Sequence, residues 1–279
     1  MYNGSFLWTP EKGNHLTKGY PEANFQEGLF FVWLTKPDII ERILPPPLKM
    51  VAPIVSVYII NIGQPSYTQQ YREAGLSIPA KYEDIKGQYV LSLLLAGPGA
   101  QMATLAGRET MGTPKKIADE VSITRINRFV RGYIERDGIR ILDVQAEIGE
   151  YNKPEAAKIF GPMTPGSVDE QNVFFYKFDS NQDMSGNTTF SDCRLLRHVT
   201  RTRNQEWEKA KAEVILRPSV NDPWAELEVE EVLGLGYARN DLHMVATQTL
   251  CSVDSAKVVP YLLAGRYDVG FTGGKIRKF

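Results

Sequence analysis

The chain has 279 residues, 43% of them hydrophobic and 23% charged, with a formal net charge of −1. That length buries a real core as one large domain or two modest ones, and the charge balance excludes disorder and a basic nucleic-acid-binding surface. No apolar run approaches the roughly 18 residues that span a bilayer. Met1 to Thr9 lacks the regions of a secretory signal, so a soluble, cytoplasmic protein with no membrane partner is expected.

Residues 1–24 are polar, punctuated by Gly and Pro, and read as an irregular N-terminal arm. Gly28 to Thr35 is rich in aromatic and β-branched residues and predicts a buried strand. A short helix follows, with Thr35 or Lys36 near the cap, Pro37 near its first turn and Ile39, Ile40, Ile43 and Leu44 on one face. Pro45-Pro46-Pro47 ends it. Val51 to Ile62 predicts a second strand, Gly63 to Lys81 a polar functional loop, and Gly87 to Gly97 a third strand. Two strands, about 123–135 and 139–148, flank Asp137-Gly138, a strong hairpin signal. Further strands are expected near 172–178, 192–203, 212–216 and 226–234, with a Pro260-interrupted helix over 255–264. Short strands with a few short helices, no repeat and no linker predict one α+β domain over 25–279, mostly an antiparallel β-barrel or sandwich.

Several chemistries carry little weight. His15, His198 and His243 form no pair at metal-ligand spacing, and no Gly-x-Ser-x-Gly is present. Cys193 and Cys251 do not imply a disulfide. Arg194, Arg197, His198, Arg201 and Arg203 read as the polar face or flank of a strand. Gly234-Leu235-Gly236 lacks the third glycine of a dinucleotide fingerprint and reads instead as backbone crowding near a cavity.

The most informative segment is Gly107-Arg108-Glu109-Thr110-Met111-Gly112-Thr113-Pro114-Lys115-Lys116. A lysine with a pKa of about 10.4 is almost entirely protonated at neutral pH and is a poor nucleophile. Apolar walls or a neighbouring cation release the amine. Leu91 to Leu95 and Met102 to Ala106 are candidate walls, and Lys116 a candidate second cation, although a Lys-Lys pair after proline also fits a solvated turn.

This segment resembles the signature of the acetoacetate decarboxylase superfamily, whose Gly-Arg-Glu, spacer and Pro-Lys-Lys carry a Schiff-base lysine. The resemblance extends at low identity from about Asn24 to Leu263. It includes Val32 to Leu48, then Glu73, Gly75, Ile78 and Pro79, then Lys86-Gly87-Gln88-Tyr89, and later Cys193 to Leu196 and Val229 to Val232. It implies an acetoacetate decarboxylase-like barrel, a homo-oligomer, and Lys115 as the Schiff-base residue with Lys116 its neighbour. Glu73 matches the loop glutamate that shuttles protons near the imine. Arg108, Met111 and Lys116 are counted with the substrate-binding residues. Gln26 and Tyr58 stand where the family's decarboxylases place an arginine and a glutamate, and an amide does not replace a bidentate guanidinium. Tyr237 follows Gly234-Leu235-Gly236, and superfamily members that perform aldol condensation and dehydration are thought to use a tyrosine in this part of the barrel.

The expectation is therefore a Schiff-base lyase acting on a small-molecule keto acid. It is an aldolase or aldolase-dehydratase, or a decarboxylase of a β-keto acid other than acetoacetate, with catalytic Lys115, Glu73 and Tyr237. No metal or organic cofactor is called for, because the iminium is itself the electron sink. The alternatives are a non-catalytic ligand-binding barrel, or a cofactor-free hydratase using Glu73 and Tyr237 as acid and base.

Overall fold

A computed structural model describes residues 6–7, 9–11 and 19–272. Most of the expected N-terminal arm lies outside the described residues. The strands are β1 (Glu22–Leu34), β2 (Lys49–Met50), β3 (Ile54–Pro65), β4 (Tyr71–Tyr82), β5 (Ile85–Ala96) and β6 (Lys115–Ile117). They continue as β7 (Glu120–Ile126), β8 (Phe129–Arg136), β9 (Ile139–Ile148), β10 (Val168–Gln182), β11 (Thr188–Leu216) and β12 (Glu231–Ser252). Helices are short: α1 (Pro37–Ile43), α2 (Ala100–Ala106), α3 (Ala156–Ile159) and α4 (Ser255–Val258).

All twelve strands join one sheet, ordered β10-β5-β4-β3-β1-β12-β11-β9-β8-β7, with β2 on β4 and β6 on β5. β10 also pairs with β11, so the path of pairings returns to the strand from which it starts. The pairings are antiparallel except β10 with β5 and β5 with β6. The fold is thus mixed α+β and largely antiparallel, as expected.

The period-2 alternation of side chains sorts residues onto two faces. Leu29, Phe31 and Trp33 of β1 join Ile59, Leu76 and Leu94 in the larger core, which β7, β8 and β9 help cover through Val121, Ile134 and Val144. The intervening positions of the central strands face the other way. Ile60, Ile62, Tyr71, Leu93, Leu95 and Phe175 form a second cluster, with Ala100 and Ala103 of α2 packed on it. Each Leu, Ile or Phe side chain so buried contributes roughly 1.5–3 kcal/mol.

Several boundaries differ from expectation for identifiable reasons. The stretch taken as a loop up to Lys81 holds β4, because Glu73, Gly75 and Pro79 mask a segment buried on both faces. The 123–148 region has an additional turn at Asn127, whose φ of 55° takes the left-handed conformation, so it holds three strands rather than two. Asp137 (φ 54°) and Gly138 (φ 71°) form the expected tight turn. Regions 192–203 and 212–216 merge into the 29-residue β11, which changes partners from β10 to β9 along its length. At 226–234, strand structure begins only at Glu231. The expected helix over 255–264 is α4 alone followed by a 3-10 turn, where Pro260 removes the helical hydrogen bond.

Candidate active site

Helix α2 runs into a π-helical turn, Gly107–Met111, that Gly112 closes with φ 74°. A Cβ at Gly107 would lie 2.5 Å from Thr113 Oγ1 and 3.0 Å from Lys115 Cδ, so only glycine lets this turn rest against the lysine stem. Arg266 donates to the carbonyl oxygens of Gly112 and Tyr176, both at 2.5 Å, and fixes the far end of the turn. The chain then enters β6, where Lys115 registers with Leu93 and Lys116 with Leu94.

That register separates the two lysines. Leu93 belongs to the second cluster and Leu94 to the larger core, so the adjacent ammonium groups leave opposite faces of the sheet. Lys116 does not act as a second cation beside Lys115. Its Nζ lies 2.6 Å from the Asn221 carbonyl oxygen, 2.8 Å from Asp222 Oδ1 and 3.3 Å from Asp268 Oδ1. Arg136 bridges the same acids, 2.6 Å from Asp222 and 2.8 Å from Asp268. The cluster fastens β6 and β8 to the 221–222 and 268 segments, with Lys116 and Asp222 side chains only 4% and 1% exposed.

Lys115 faces a different set. Glu73 on β4 registers with Leu95 and Ile60, both of the second cluster, and its Oε2 is 3.0 Å from Lys115 Nζ as an ion pair outside hydrogen-bond geometry. The Tyr58 hydroxyl donates to Glu73 Oε1 at 2.7 Å. Tyr58 reaches it because its register partner is Gly75, where a Cβ would stand 2.4 Å from the phenol ring. Lys115 Nζ is also 5.8 Å from the centre of the Tyr71 ring, within cation–π range. The Tyr71 hydroxyl meets that of Tyr67 at 2.5 Å.

The electrostatics follow from burial and this one carboxylate. Burial alone drives the Lys115 ammonium toward the free amine, but Glu73 opposes it, and together with Tyr67 the net shift is upward. The resting lysine is the ammonium, not the free amine expected from apolar walls. Burial, reinforced by Glu73, holds the Tyr58 phenol well above its ordinary range, and burial likewise raises Tyr67 and Tyr71. These three phenols stay protonated donors. A buried lysine beside an acid that can receive its proton is an arrangement consistent with Schiff-base chemistry.

Residues 8–253 match the family model described as Acetoacetate decarboxylase (ADC). The chain belongs to the acetoacetate decarboxylase family. Among curated relatives it is 36% identical over 258 residues to the CLA biosynthesis isomerase of Lactiplantibacillus plantarum, covering 91% of this chain and 92% of that one. Among solved structures, the acetoacetate decarboxylase of Legionella pneumophila superposes with a TM-score of 0.70 at 18% identity, over 84% of this chain and 88% of that one. The enduracididine biosynthesis enzyme MppR, complexed with the condensation product of pyruvate and imidazole 4-carboxaldehyde, gives a TM-score of 0.66 at 12% identity, over 88% and 95%.

The other residues singled out in this acetoacetate decarboxylase-like sequence are dispersed. Tyr237 registers with Leu29 and packs in the larger core, on the opposite face from Lys115. Its hydroxyl donates to Glu27, its ring lies 4.6 Å from the Arg125 guanidinium, and burial with Glu27 raises its pKa. The structure does not bring Tyr237 to Lys115 or Glu73, so the acid–base pairing of Glu73 with Tyr237 has no geometric basis. Gln26 is buried on β1, in a row across the sheet with Asn240, Ile62 and Tyr71. Arg108 leans over the Tyr267 ring at 5.0 Å, and Met111 is half-buried at the end of the π-helical turn. Sequence reasoning missed Tyr67 and Tyr71. The signal was the alternation Tyr71, Glu73, Gly75, which places three site positions on one face of a strand.

Proposed function

We propose that the chain is a Schiff-base enzyme that moves a proton within a carbonyl substrate, an isomerase of β,γ-unsaturated ketones. The observation that carries this reading is Tyr58–Glu73–Lys115: a single carboxylate 3.0 Å from the amine, oriented by a protonated phenol at 2.7 Å. Similarity to a relative named as an isomerase over nine-tenths of both chains favours proton transfer as the outcome.

Glu73 takes a proton from Lys115, and the free amine attacks the carbonyl carbon. The carbinolamine oxygen leaves as water with the proton that Glu73 returns, giving an iminium. The positive nitrogen acidifies the α-carbon, and the Glu73 carboxylate, again free, removes that proton. The C–H electron pair becomes the new double bond of a dienamine while the iminium π pair returns to nitrogen. Protonation at the γ-carbon from Glu73 gives the conjugated iminium, and water releases the conjugated ketone and the lysine. No group is lost and no electrons enter or leave.

Allyl methyl ketone tests this directly. The expected results are growth of the conjugated-enone ultraviolet band and, with borohydride, a reduced adduct on the Lys115 peptide, both abolished in Lys115→Ala. Enone formation that survives Lys115→Ala would sink the Schiff-base role. The second reading, a carbon–carbon lyase, shares the same iminium, and the MppR fold neighbour holding a condensation product favours it. Under that reading, a β-keto acid loses carbon dioxide, or an aldol adduct loses its aldehyde, in a Lys115-dependent way.

A further inference from the structure

Gly234-Leu235-Gly236 plays no part in the chemistry above, yet both glycines lie under aromatic rings. A Cβ at Gly236 would stand 1.9 Å from the Trp207 ring, and one at Gly234 would stand 2.8 Å from Tyr151. Those two rings, with Phe160 and Ile148, line a cleft of about 480 Å³ between β11 and the 149–165 segment. Lys115 and Glu73 are not among its walls. The volume lies in the range of small-molecule sites.

The rings continue from the cleft to the acid. Phe160 is 4.8 Å from Trp207, Trp207 is 6.4 Å from Phe30, and Phe30 is 6.0 Å from Tyr58, whose hydroxyl is on Glu73. Phe30 packs against both the second cluster around Lys115 and the satellite cluster of Phe160 and Tyr151. Phe30, Tyr58 and Trp207 are each only half-buried, so this row is a surface within reach of solvent rather than sealed core. The four rings are themselves uncharged, while Glu208 and Lys209 of β11 also line the cleft beside Trp207.

We infer that this cleft holds the hydrocarbon substituent of the substrate, so that the enzyme takes a ketone carrying an extended apolar chain. The chain lies along Tyr151, Phe160 and Trp207, and the carbonyl end passes Phe30 to reach Lys115. The glycines are required because a side chain at either would push a ring into the space the chain occupies. This inference rests on the proposed Schiff-base reading.

The test is borohydride trapping at Lys115 with straight-chain methyl ketones, from acetone upward. The half-saturating concentration falls roughly two- to fourfold per added methylene while the chain remains in the cleft. Gly161→Trp fills the cleft at a position where a Cβ meets nothing within 4 Å, and Ala157→Trp fills it from α3. Both variants flatten the chain-length gradient and leave acetone trapping unchanged. A flat gradient in the wild type, or a gradient that survives both variants, overturns the inference. Failure of every ketone to trap Lys115 refutes the Schiff-base reading alone, and the cleft is then read by tryptophan fluorescence with an unreactive long-chain ketone. Quenching lost in Trp207→Phe and Gly161→Trp supports chain binding, and its absence in the wild type overturns it.

Discussion

Replacing Asp222 by alanine separates the two lysines by experiment. Both oxygens of this 1%-exposed carboxylate are engaged, one 2.8 Å from Lys116 and the other 2.6 Å from Arg136. Removing it leaves two buried cations with only Asp268 and, for Arg136, Asp137 to offset them, and those side chains are 39% and 49% exposed. Breaking a buried pair by deleting one partner costs ~3–5 kcal/mol, because the remaining charge keeps its desolvation penalty. Against a total stability of roughly 5–15 kcal/mol that is a large share, and the melting temperature falls by roughly 10 °C. The assay is urea unfolding followed by fluorescence, alongside borohydride trapping at a temperature where the variant remains folded. Asp222→Ala loses stability and keeps Lys115 trapping. Lys116→Met also keeps trapping and loses less stability, because Asp222 retains Arg136. Loss of trapping in Lys116→Met at unchanged stability would refute the separation, returning Lys116 to the substrate site.

Glu73→Gln removes the group that holds the Lys115 ammonium up, leaving burial to push it down. Trapping of an added ketone therefore extends to lower pH while deuterium exchange at its α-carbon falls at least a hundredfold, a split that mass spectrometry reads in one sample. Tyr58→Phe and Gly75→Ala each slow that exchange about tenfold, the worth of one hydrogen bond. The double variant is no slower than either alone, because both remove the same contact; additive effects would show that Gly75 does not seat Tyr58. His198, buried with its ring tilted against that of Phe175 at 4.9 Å, is pushed by burial from 6.5 down to about 4. The unfolded chain therefore binds its proton first, so this contribution to stability is intact above pH 6.5 and is lost as pH falls toward 4. Its size is on the order of 3 kcal/mol. A urea midpoint that declines across that window in the wild type and is flatter in His198→Gln is the expected result.

Local chemistry made much of this molecule legible from its residues alone. Pro37 starts α1 and the proline run ends it; Asp137-Gly138 turns β8 into β9; the Gly-Arg-Glu to Pro-Lys-Lys segment singles out Lys115. Those signals are short-range, set by φ preferences, missing donors and motif spacing. Glu73 was legible as a site candidate but not as part of a strand, because a carboxylate flanked by Gly and Pro reads as loop until a partner strand registers with it. Tertiary structure alone decided which face each residue serves. The period-2 alternation states that Lys115 and Lys116 point opposite ways once they lie in a strand, but only pairing with Leu93 and Leu94 decides which one meets Glu73. The same holds for Tyr237, which a sequence pattern places near a glycine-rich strand and which register with Leu29 turns away from the lysine. Which lysine faces Glu73 is set by hydrogen bonds between strands far apart in the chain, and no local preference encodes that register.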